Sequence, residues 1–298
     1  MKISRLLYLL DSIGLLDLLV HIKSKNSLLI IMYHEVNDEN NIYYDAPLPP
    51  KLFEQQIRYL LKMNFKIMPL CEVIRLLQET QELPSKIAVL TFDDGYKGVY
   101  RIALPIMRRY DVRGTVYVSP GLIKDGIPHW AVTIAYAITK LRIPAELNTP
   151  LGIMKISNEH ERYRVLTNII NHLPKMKLND LSEFTKTLYE MINEDFHKLY
   201  EETMLTRDEL NELSEYGIEI GGHGYYHLGL PYLSDDELKH EIELSKEFVS
   251  TYNKNCTTYT LAYPFGLYTT KVINMARNSD FSAAVTTNPY LTRTSQLN

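Results

Sequence analysis

Cysteine is almost absent from this chain, with Cys71 and Cys256 the only two in 298 residues. Two thiols so far apart provide neither a disulfide framework nor a cysteine metal site, and both read as core residues. No uninterrupted apolar run approaches the roughly 20 residues of a membrane span. A surplus of basic charge is also missing: the formal net charge is -4, and no Lys/Arg stripe suggests nucleic acid. Internal repeats and low-complexity segments are lacking too. The remainder is ordinary for a soluble globular protein, 45% apolar and 23% charged. The 22 tyrosines are many; some could stack on sugar rings, although codon bias explains such a total equally well.

Residues 1–26 need separate treatment. Lys2 and Arg5 precede Leu6-Leu7-Tyr8-Leu9-Leu10, but Asp11 and Asp17 interrupt the run. No small-residue cleavage site follows, which argues against a cleaved secretory signal. The segment reads as an amphipathic helix packed on the domain, with peripheral membrane contact through residues 1–22 as the alternative. This leaning is towards a cytoplasmic or membrane-associated protein.

From residue 27 onward, short apolar runs alternate with helical patterns. Strands are expected at about 27–33, 66–70, 86–92, 114–119, 217–222, 258–263 and 282–286. Between them, helices are expected at 52–63, 72–81, 99–110 (bent by Pro105), 235–252 and 271–278. Such alternation predicts βαβ units and a parallel sheet. The rhythm breaks over about 120–203, where helical windows at 130–140, 159–172 and 181–200 suggest a helical insertion without strands. Thr206 and Glu209 then form a capping-box pair that restarts the alternation. Seven to eight strands suit an α/β fold, a distorted (β/α) barrel over 27–298 carrying that insertion.

Polar residues gather where the predicted strands end: His34, Asp93-Asp94, His223 and Tyr263-Pro264. In barrel enzymes that face carries the catalytic residues. His223 and His227, four apart, would share one face of a helical turn and offer two imidazoles to a zinc-like ion. Asp93-Asp94-Gly95 can supply a third ligand, and a second carboxylate to accept a proton from a bound water. Taken singly, Asp-Gly is a common turn and a histidine pair is often structural. In combination they point to a metal-dependent hydrolase, with zinc the default and other borderline divalent ions fitting as well. His21, His129, His160, His172, His197 and His240 have no evident partners and read as surface residues.

Thr91-Phe92-Asp93-Asp94-Gly95, His223-x3-His227 and Ala262-Tyr263-Pro264-Phe265-Gly266, in this order, resemble the motifs of the polysaccharide deacetylase family (NodB homology, carbohydrate esterase family 4). The resemblance covers about 27–119 and 204–290. It implies a distorted barrel and metal-dependent removal of acetyl groups from N-acetylated sugars. By position, Asp93 would be the general base, and Asp94, His223 and His227 the metal ligands. The backbone N–H of Phe265 would help stabilise the oxyanion. There are three departures from the family pattern. Gly224 replaces a Ser or Thr, Ala262 replaces an arginine that orients the base, and no Leu-x-His follows the last strand. His34, in Met32-Tyr33-His34, resembles the Tyr-His motif of poly-N-acetylglucosamine deacetylases and would serve as general acid; merely capping a buried strand is its alternative role. Trp130, Tyr225, Tyr226 and Tyr268 are candidate aromatic walls for a sugar, although ordinary packing is the commoner role for each. Tyr263 and Pro264 are candidate substrate contacts. Two other functions stay open: an amidase of the same fold acting on a non-polymeric or non-sugar amide, and an inactive glycan-binding relative.

Overall fold

The strand Ile87–Phe92 (β3) is apolar apart from Thr91, and all six of its residues are buried, as expected of a strand covered on both faces. In the computed structural model, which describes residues 27–38, 47–253, 257–288 and 292–293, it is the hub of the main sheet. One edge pairs in parallel with β1 (Ser27–Tyr33) over six positions, from Leu28↔Ile87 to Tyr33↔Phe92. The other edge forks. Its first residues pair with β2 (Lys66–Ile67), and Thr91 and Phe92 pair with β4 (Thr115–Val118). The parallel order continues through β7 (Glu219–Gly222) and β8 (Thr260–Ala262) to β9 (Ala283–Val285). The two-residue β10 (Thr292–Arg293) runs antiparallel to the start of β1 and completes an eight-stranded sheet. The result is the expected α/β architecture, a curled, distorted barrel. Among the described residues its end strands β1 and β9 do not pair with each other.

Helices cover the outer face as the sequence spacing predicts. In α1 (Pro50–Lys62), Phe53, Ile57 and Leu60 are the buried stripe. Helix α2 (Leu70–Thr80) enters the barrel floor. There the Cys71 N–H donates to the buried Glu219 carboxylate at 2.8 Å, and Thr115 Oγ1 donates to the same oxygen at 2.8 Å. A carboxylate facing a helix N-terminus meets the positive end of its dipole. The helix expected at 99–110 is divided: a π turn over Val99–Ala103 leads into α3 (Leu104–Arg109). Pro105 sits in the first turn of α3, where its missing N–H costs least.

The region 120–203 contains α4 (Pro120–Asp125), α5 (Trp130–Lys140), α6 (Glu159–His172), α7 (Leu178–Ile192) and α8 (Phe196–Thr203). Two expectations are corrected here. The region does contain strands, an antiparallel hairpin of β5 (Ala145–Thr149) and β6 (Gly152–Ile156). Their mixed sequence, AELNT and GIMKI, has too little β-branched content to stand out. The window 181–200 is two helices, not one, because Asn193 turns left-handed at φ 55. Helix α9 (Arg207–Tyr216) opens with the expected capping box of Thr206 and Glu209, and α10 (Asp235–Ser250) opens with a second one.

No helix among the described residues is long and apolar enough to cross a membrane. Residues 1–26, read above as an amphipathic helix, lie outside the described residues, as does Cys256; Cys71 is buried.

Candidate metal centre and active site

Three non-glycine residues of the site lie in the left-handed region: Asp94 at φ 71, His227 at φ 57 and Phe265 at φ 58. Such conformations cost energy and persist where the surroundings fix them. Asp94 turns the chain as it leaves β3, so that its carboxylate and that of Asp93 are both buried at the strand end. The Asp93 N–H still donates to Tyr33 O at 2.9 Å, which keeps the end of β1, and His34 after it, beside the aspartates.

The histidine pair corrects a further expectation. Residues 223–227 form a loop, not a helical turn. Gly224 at φ +67 and the left-handed His227 bend it until the two rings meet. A side chain at Gly224 would be strained by that φ and would come within 3.0 Å of Glu241 Oε2; this accounts for the glycine in place of a hydroxyl residue. Glu241, from α10, is 2% exposed and secures the loop. Its Oε2 accepts from the Tyr225 and Tyr226 N–H groups at 2.8 and 3.0 Å. Burial pushes the Glu241 carboxyl up to about 7, against the pull of these donors.

Asp94 Oδ1 lies 3.3 Å from His223 Nε2 and 3.2 Å from His227 Nε2, and the two nitrogens are 3.2 Å apart. Donors set tetrahedrally at about 2.0–2.1 Å around a zinc-sized ion stand about 3.3 Å from one another. The triangle therefore fits such an ion, and one carboxylate with two imidazoles suits a borderline divalent metal. The ring orientations agree. His223 Nδ1 lies 2.8 Å from Ala262 O, which can only accept, so the proton sits on Nδ1 and the Nε2 lone pair faces the centre. His227 Nδ1 lies 3.1 Å from His129 Nε2.

His129 is thus not a surface residue. It is 5% exposed, at the start of α5, and also lies 3.6 Å from Asp94 Oδ1. Nothing in the sequence marked it, because a single histidine in an insertion has no spacing signature. Its neighbour Trp130, a candidate sugar wall, is 1% exposed and donates its indole N–H to Tyr226 O at 2.7 Å. A buried ring cannot wall a sugar; Trp130 supports the metal loop from beneath. Gly121 N–H donates to Tyr225 O at 2.7 Å. In this way, the first part of the insertion braces the histidine loop.

Burial pushes the Asp93 carboxyl up to about 6, with His223 and His34 pulling it down and Asp94 pushing it further up. Asp93 Oδ1 is buried without a hydrogen-bond partner among the described residues, consistent with alanine at 262. For Asp94, burial is outweighed by His129, His223 and His227, which hold it well below the usual carboxylate range. Burial, followed by His129, lowers His227 to about 3. Burial also opposes charge on His223, yet its hydrogen bond to Asp94 and the charge of Asp93 raise it overall. His34 is half-buried just past β1.

The ring of Phe265 packs edge-on against His227, with centroids 4.6 Å apart. Tyr263 is 8% exposed and stacks on the exposed Tyr268 at 5.3 Å. Pro264 and Tyr225 are buried, and the hydroxyl of half-buried Tyr226 donates to Asp125 at 2.7 Å.

Residues 80–284 match the model of the family described as polysaccharide deacetylase. The Bacillus subtilis protein YxkH, whose name assigns it to the polysaccharide deacetylases, is 21% identical over 260 residues, 87% of this chain and 64% of its own length. This chain therefore spans under two thirds of that relative. Among solved structures, the Streptococcus pyogenes deacetylase PplD in complex with acetate superposes with a TM-score of 0.59 at 21% identity, covering 91% of this chain and 88% of that one. IcaB from Ammonifex degensii gives 0.56 at 17% identity, covering 90% and 87%. Those structural likenesses establish the fold. With the family match extending over more than half of its length, the chain belongs to the polysaccharide deacetylase family.

Proposed function

We propose that this protein is a divalent-metal-dependent N-deacetylase acting on an N-acetylhexosamine-containing polysaccharide or glycoconjugate. The observation that carries the reading is the 3.2–3.3 Å triangle of Asp94, His223 and His227 donor atoms next to a buried Asp93 oxygen without a partner. A bound zinc-class ion supplies charge that polarises an acetyl carbonyl and lowers the pKa of a water to about 7. Asp94, His223 and His227 would hold it. Asp93 takes a proton from the attacking water, and the Phe265 N–H donates to the oxygen that gains charge. His34 gives a proton to the departing amine. The water oxygen joins the acetyl carbon, the C–N bond breaks, and acetate and a free amino sugar leave.

Metal content measured together with acetate release from a panel of N-acetylated glycans and small amides tests the reading. Metal binding with acetate release from the glycans supports it. Release only from small or non-sugar amides would move the substrate class, and glycan binding without any release would identify an inactive relative.

A further inference from the structure

The curled sheet leaves an opening below Asp93. Strands β1 and β9 end the parallel array on its two sides, and between them lies a cavity of about 380 Å³. Its walls are aliphatic: Ile30 and Met32 from β1, Ala283 and Val285 from β9. Its polar lining comes from Thr91, Asp93 and Tyr263 and from Thr286, Thr287 and Asn288, which follow β9. Met32, 42% exposed, marks its way out to solvent. Alanines at 262 and 283 line a position where larger side chains would fill a barrel interior. The aliphatic part of such a space offers water few of the two to four polar partners it needs and suits a hydrocarbon.

We propose that this slot receives the acyl chain of the substrate. On that view the enzyme hydrolyses N-acyl amino sugars bearing linear acyl groups of up to roughly eight carbons, with acetyl the shortest case. This rests on the N-deacetylase reading above and names the class of acyl group that the same site takes. A methylene needs about the room of one water, about 30 Å³, so the cavity holds roughly six carbons when half filled. The acetyl methyl alone leaves nearly all of it empty. The chemistry is unchanged: one water is consumed, its oxygen bonds to the acyl carbon, the C–N bond breaks, and the nitrogen keeps the electron pair and gains a proton. A fatty carboxylate and an amine result.

The test uses the metal-loaded protein and glucosamine conjugates carrying N-acetyl, N-butanoyl, N-hexanoyl and N-octanoyl groups, with amine release as the readout. A pocket cut for acetyl loses roughly tenfold or more for a misfitting methylene. The expected ratio of kcat/KM for hexanoyl over acetyl is about one or greater, and a ratio below about one-tenth overturns the proposal. Ile30→Phe and Ala283→Leu, neither of them a candidate metal ligand, would fill the slot. Each should cut that ratio about tenfold. A ratio unchanged in variants that melt like the parent overturns the proposal. If no conjugate is cleaved at all, the deacetylase reading fails separately, and carboxylate binding still decides the slot. Hexanoate binding at least about tenfold tighter than acetate supports the slot, and equal affinity rejects it.

Discussion

His129 Nε2 stands 3.1 Å from His227 Nδ1, so a residue of the inserted helices fixes the ring of a candidate metal ligand. If the Nε2 of His227 holds a metal, its proton sits on Nδ1 and the His129 Nε2 accepts it. His129→Phe is expected to lower metal affinity by roughly ten- to a hundredfold, and His129→Gln to recover part of the loss. Competition with a chromophoric chelator measures both. Equal losses in the two variants would reduce His129 to a packing residue.

Asp93 offers a kinetic signature. Its carboxyl is pushed up to about 6 by burial, and only the ionised form can take a proton. The kcat/KM for an N-acetylated substrate should therefore rise with pH through about 6 and level off above it. Asp93→Asn should lose roughly a hundred- to ten-thousandfold in kcat while metal stays bound. Full activity in that variant would show that another group is the base.

His34→Gln tests the proposed proton donor. It should reduce kcat by roughly a hundredfold or more, with metal content unchanged. The loss should shrink for substrates whose leaving amine is less basic, since these need protonation least; rate measurements across a leaving-group series check it.

Glu35 governs stability. It is 4% exposed, one of its oxygens has no partner, and burial pushes its carboxyl up to about 8, against donors from Gly98 and Val36. A folded-state pKa above the unfolded value of 4.5 means that the native state holds the extra proton. The resulting stability is present at low pH and drains away as pH rises from about 4.5 to about 8. Glu35→Gln, permanently neutral, should melt above the parent at pH 9 and close to it at pH 5.

Much of this was legible from residue types in order. Asp93-Asp94 and the histidine pair mark a candidate metal site because few other roles require them together, and the structure brings Asp94, His223 and His227 into one group; buried parallel strands are readable as apolar runs. What escaped was backbone conformation. Four-residue spacing suggested a helical turn, whereas Gly224 and His227 bring the rings together through left-handed residues, a device that spacing does not encode. His129 escaped because its partner is 98 residues away. Aromatic character says nothing about burial, so the sequence does not reveal that Trp130 is covered where the insertion folds against the histidine loop.

That insertion also bears on when a metal held by Asp94, His223 and His227 could arrive. Asp94 and His223 lie on opposite sides of residues 120–203, more than a hundred positions apart. Closing so long a loop comes before any reward from ligand contacts. An ion held there could not nucleate this fold as one does in a zinc finger, where binding and folding are one event. It would enter a scaffold already built, and a chelated chain should keep its helices and sheet, losing reactivity before shape.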